Sequence, residues 1–111
     1  MWQAARSELV GTASTTQTQA GGTTVPAGAD LYRIATVSNA NDAVTLGFAA
    51  RPGRRFFFKN AGASTVGIFP GPGDKINAAA VDAVFALATV KMAVFYCALE
   101  GTWEAGVMAT T

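Results

Sequence analysis

From Val25 onward, apolar and polar positions alternate in short runs separated by turn residues, the signature of an all-β domain. Val44, Leu46 and Phe48 alternate with Ala43, Thr45 and Gly47, the period of two expected for a strand with one buried face. Residues 31–37, 55–59, 66–69, 92–99 and 103–108 are the other predicted strands. Between them lie Asn39-Ala40-Asn41-Asp42, Arg51-Pro52-Gly53-Arg54, Asn60-Ala61-Gly62-Ala63, Pro70-Gly71-Pro72-Gly73-Asp74 and Glu100-Gly101-Thr102, all rich in residues that favour turns. The last of these joins a predicted hairpin. Short strands at intervals of about ten residues predict a small antiparallel β-sandwich or jelly-roll-like barrel. No internal period of about 20–50 residues stands out, so a solenoid or propeller is not expected.

Residues 77–88, NAAAVDAVFALA, fit two patterns. Val81, Val84, Phe85 and Ala88 have helical spacing and Asn77 could cap a helix; alternatively residues 84–87 form a short strand after an Ala-rich loop. The β pattern on either side favours the strand, with a single turn near residues 79–82.

The first 24 residues differ from the rest. Residues 1–10 place Trp2, Ala5 and Leu9 at helical spacing, and residues 11–24, GTASTTQTQAGGTT, carry no charge. The sequence therefore divides into an extended N-terminal arm, residues 1–24, and a β-domain, residues 25–111. The arm is open to two readings: a leader without fixed structure, or a segment that becomes ordered along a partner through main-chain hydrogen bonds.

Two strands carry apolar residues on both faces. In residues 55–59, Phe56 and Phe58 share one face while Phe57 shares the other with Arg55 and Lys59. In residues 92–98, Ala93, Phe95 and Cys97 oppose Met92, Val94 and Tyr96. A sheet facing water would not be apolar on both sides. Composition points the same way: half of the 111 residues are hydrophobic and only 14% are charged, against about 25% in an average soluble domain. Part of the surface is expected to be covered by other subunits in a closed homo-oligomer, with a trimer favoured. Arg55, Phe57, Lys59 and Tyr96, with Trp2 and Leu9 from the arm, are the candidate contacts with other subunits or with a partner protein.

The chemistry available is narrow. Histidine is absent, which removes His-based triads and Cys/His zinc sites. A single cysteine, Cys97, excludes an internal disulfide and reads as a small buried hydrophobe. Gly71-Pro72-Gly73-Asp74-Lys75 lacks the spacing and hydroxyl residue of a phosphate loop, and its glycines read as turn glycines. Asn39, Asn41 and Asp42 offer oxygen atoms without the twelve-residue frame of a calcium loop. No pair of carboxylates is marked for glycoside hydrolysis. No cofactor, metal or catalytic residue is expected. Arg51, Arg54, Arg55 and Lys59 form the only basic cluster; with a formal net charge of +1 it is expected to meet carboxylates of another protein rather than nucleic acid. Residues 83–99 are interrupted by Lys91 and are shorter than a membrane span, and no secretory signal is visible, so synthesis in the cytoplasm is expected. Trp103 reads as a core or rim aromatic that locks the last hairpin.

The succession Val44-Thr45-Leu46, Pro52-Gly53-Arg54-Arg55, Lys59-Asn60-Ala61-Gly62, Ile68-Phe69-Pro70, Gly73-Asp74-Lys75-Ile76-Asn77, Phe95-Tyr96-Cys97 and Gly101-Thr102-Trp103 resembles a small β-domain of tailed-bacteriophage virion proteins. It covers residues 31–107, and the triple Phe56-Phe57-Phe58 departs from its more polar alternation. Such domains occur as head-decoration (cement) proteins and as pieces of tail fibres. The resemblance implies a structural role on the capsid exterior, with the major capsid protein as partner and no catalytic residue. The alternative it leaves is a tail-fibre or receptor-binding module contacting host glycan; a reading from a different class is a polysaccharide-binding or depolymerising module with Tyr32, Trp103 or Phe57 as sugar platforms.

Overall fold

The computed structural model describes residues 8–108. Among the described residues there are ten strands and no helix: β1 (Glu8–Thr12), β2 (Thr23–Val25), β3 (Leu31–Thr36), β4 (Asp42–Leu46), β5 (Arg55–Asn60), β6 (Val66–Phe69), β7 (Lys75–Ile76), β8 (Phe85–Leu87), β9 (Met92–Leu99) and β10 (Thr102–Met108). They form two sheets, in the orders β1-β3-β5-β9-β10-β7 and β2-β4-β6-β8.

The all-β expectation holds, but the antiparallel arrangement does not. From β1 to β6 the chain alternates between the sheets, so each strand lies parallel to the one two elements later: β1 on β3, β3 on β5, β2 on β4 and β4 on β6. Parallel neighbours need a crossover, and here the opposite sheet supplies it. The result is a β-solenoid of three stacked turns rather than a sandwich of hairpins or a barrel. The end is closed differently. β9 runs antiparallel to β5, β8 antiparallel to β6, and β10 pairs with β9 as the predicted hairpin. Successive turns align unequally: Glu8 lies beside Leu31 and Leu31 beside Phe57, but Thr23 beside Val44 and Asp42 beside Val66. Unequal loops of unrelated composition leave no sequence repeat to detect.

Inward-facing residues of both sheets meet in one core. Phe56 and Phe95 stack with centroids 4.9 Å apart, and Trp103 stands edge-on to Phe56 at 5.5 Å. Ring pairs of this geometry add about 0.5–1.5 kcal/mol beyond the area they bury. Phe48 closes the cluster, and the Arg54 guanidinium lies 4.6 Å from its ring centre. Arg54 also donates to the carbonyls of Ala27 and Ala29, so it pins the β2–β3 connection and is withdrawn from any surface basic cluster. Trp103 and Tyr32 are buried, which corrects their reading as sugar platforms. Desolvation raises the pKa values of the Tyr32 hydroxyl and the Cys97 thiol.

Asn60 is the polar pin of this core. Its Nδ2 donates to the carbonyls of Ser64 and Leu87, both at 2.9 Å, and its Oδ1 accepts from the Gly62 N–H. One side chain thus joins the β5–β6 corner to β8, and each of its hydrogen bonds serves a backbone group.

The division at residue 24 is not seen in the described part of the chain. Residues 8–10, expected in an amphipathic turn, begin a strand beside β3, and β2 belongs to the smaller sheet. Between them, residues 13–22 form a strap over that sheet. Ser14 bridges Ala43, Thr45 Oγ1 donates to the Gln19 carbonyl, and Gln17 Nε2 donates to Ala40 O and Asp42 Oδ1. β4 is consequently buried along its whole length. Gly22 permits the close approach, since a Cβ there would collide with Thr45 Oγ1. The uncharged Thr/Gln run is therefore the first coil of the solenoid. Residues 1–7, with Trp2, lie outside the described residues.

Residues 77–88 take the strand reading. Ala79 and Ala83 close single turns on Ile76 and Ala80, and β8 follows. Positive φ angles at Asn77 (56°) and Asp82 (67°) break any helix there.

Candidate interaction surface

The outward face of the larger sheet gathers most of the residues singled out from the sequence. Phe56, Phe58 and Asn60 point into the core, so Arg55, Phe57 and Lys59 point out. Met92, Val94 and Tyr96 do the same on β9. Register turns these strands into rows: Arg55, Tyr96 and Glu104 across β5, β9 and β10; Leu31, Phe57, Val94 and Gly106 across β3 to β10; then Val10, Arg33, Lys59, Met92 and Met108. Phe57 (40% exposed) and Tyr96 (44%) are diagonal neighbours, about 7–8 Å apart.

This arrangement is an apolar and aromatic stripe bordered by charge. Arg33 and Arg55 have no ion-pair partner among the described residues, nor does Glu104 at the other border. Lys59 Nζ donates to the Val90 carbonyl at 2.7 Å. Arg51 lies 3.9 Å from Glu100, both largely exposed, which contributes less than about 1 kcal/mol. The cluster of four cations expected from the sequence is thus dispersed: only Arg55 and Lys59 share the stripe, where Arg33 joins them.

Leu9 behaves differently from the expectation. It sits on β1 beside Tyr32, half-buried against the core, and contributes packing rather than an outward contact. Sequence reasoning missed Leu31, Arg33, Glu104 and Gly106. Alternation gives each its face, but only strand order brings them beside Phe57 and Tyr96.

The molecule also has a shallow groove of about 280 Å³ between Leu46–Ala49 and Gly71–Asp74. Asp74 is the one carboxylate lining it, and its Oδ2 accepts from the Ala50 N–H at 2.9 Å. That contact ties the loop before β7 to the loop before β5. Cys97 is buried and its Sγ donates to the Leu99 carbonyl.

No family model matches this chain, and no curated protein or solved structure is significantly similar to it.

Proposed function

We propose that this chain is a structural protein of a tailed-bacteriophage virion that decorates the head and clamps neighbouring capsid subunits. The observation that carries the reading is the unpartnered aromatic stripe on the larger sheet, where Phe57 and Tyr96 stand between Arg33, Arg55 and Glu104. Aromatic and arginine side chains of this kind are the usual anchors of protein contacts. The ordered motifs that resemble virion β-domains give the setting. In this fold they interlock: Gly53 donates to the Cys97 carbonyl, Cys97 to Arg54, Lys75 to Gly101 and Asn77 to Trp103.

The mechanism is multivalent clamping by a stiff body. Contacts that are individually modest hold because an assembly bridging several capsomers dissociates only when all of them release together. A solenoid whose first coil is strapped over β4, with both sheets closed on one core, suits this role.

The test is the copy number of this chain relative to the major shell protein in purified particles. A count of the same order is expected, together with earlier rupture of particles that lack it. A count that is a small fraction of the shell protein overturns decoration. It would favour a tail-fibre module in which exposed Phe57 and Tyr96 meet host glycan, a reading tested next by glycan binding.

A further inference from the structure

The rows of the outward face have a symmetry of their own. β9 lies between β5 and β10, each about one strand spacing, 4.8 Å, away. Arg55 on β5 and Glu104 on β10 flank Tyr96 in one row. In the next row Phe57 and Gly106 flank Val94. Opposite charges occupy mirrored places in the first row. In the second, a large exposed ring mirrors a glycine with open space where a side chain would stand.

We propose that this face binds a second copy of the chain about a two-fold axis running along β9 between the two stacked sheets. Such an axis keeps each row in place and exchanges its two flanks. Arg55 of one copy then faces Glu104 of the other, twice over. Phe57 of each copy enters the space above Gly106 of the other, within the roughly 10 Å that separates stacked sheets. Tyr96 and Val94 meet their own counterparts on the axis, as an isologous contact requires. A second copy fits because the surface complements itself in both charge and shape.

The patch is small. Four strands and three rows span roughly 15 Å each way, about 225 Å² per copy and well under the roughly 1,000 Å² in total of a stable interface, so a weak, reversible dimer with a dissociation constant of about 100 μM is expected. The arrangement favours a two-fold pair over a three-fold ring. It does not depend on the virion reading, because it concerns the purified chain alone.

The experiment is sedimentation equilibrium of the full chain from about 5 to 500 μM, with Arg55→Glu and Glu104→Arg variants. Both positions are exposed, so folding is checked by an unchanged thermal melt. The wild type should approach the dimer mass. Each variant alone should self-associate at least tenfold more weakly, since like charges now face each other at both ends. Mixed together, the two variants should recover the dimer. The carboxylate introduced at position 55 of one copy then meets the guanidinium introduced at position 104 of the other, and the unaltered Glu104 of the first meets the unaltered Arg55 of the second. A wild type that stays monomeric to 500 μM overturns the proposal. So does a trimer mass, or a mixture that pairs no better than its components.

Discussion

Gln19 and Asp82 are 63 positions apart in the chain and 3.0 Å apart at their polar ends. The same Gln19 amide donates to the Pro70 carbonyl at 2.9 Å, while Asp82 Oδ1 also accepts from the Gly73 N–H at 2.8 Å. An uncharged residue near the start of the chain thereby fastens the strap to the loops around β7. The two hydrogen bonds that Asp82 accepts, that from Gln19 first, hold its carboxyl below the usual pKa.

Gln19→Ala should raise the Asp82 pKa toward the ordinary value, read by NMR titration of its carboxyl carbon. A depressed carboxylate stabilises the fold above its unfolded pKa and loses that contribution as pH falls through the folded value. Acid should therefore loosen the strap less in the variant than in the wild type. An unmoved Asp82 titration would show that Gln19 does not hold it.

Removing residues 1–24 should abolish cooperative unfolding. The truncation strips β1 and two of the three residues of β2 from the sheets and uncovers the Thr45 side of β4. Thermal circular dichroism checks this. A sharp transition near the full-length midpoint would restore the idea of a separable arm.

Asn60→Ala should cost about 3 kcal/mol in urea unfolding. It leaves one buried and one half-buried carbonyl and one N–H without their partner, each unmade bond costing about 1–3 kcal/mol before relaxation. A loss below about 1 kcal/mol would mean that the corner holds without it.

Val90 has φ +60°, a region that penalises a β-branched residue by about 1–3 kcal/mol. Val90→Asn, which tolerates that conformation, should raise the urea midpoint. The equivalent change at exposed Val10, in a regular strand, should not.

Alkaline pH should destabilise the protein through Tyr32 and Cys97. Both are acids raised by burial, so their contribution is complete below the unfolded pKa and is lost as pH climbs through the folded values. The melting temperature should fall as pH rises above about 9, and Tyr32→Phe should flatten that fall near and above about pH 10. An identical slope in the variant would exclude the tyrosine.

Alternation alone determined which residues lie inside the strands: Phe56 and Phe58 against Phe57, and Phe95 and Cys97 against Tyr96. Turn chemistry determined where the strands stop, as at Asn41 and Gly53, whose positive φ angles suit Asn and Gly. Both signals are local, set by backbone sterics and a two-residue period. Strand order is not local. Whether Phe57 lies beside Leu31 depends on the path between them, and an uncharged run such as residues 13–22 reads the same whether free or folded over β4. Only closure of the sheets, where Gln19 reaches Asp82 and Asn60 reaches Leu87, decided that this pattern becomes a solenoid. The same closure placed Arg55 and Glu104 on either side of Tyr96, because register assigns partners only after every strand has found its neighbour.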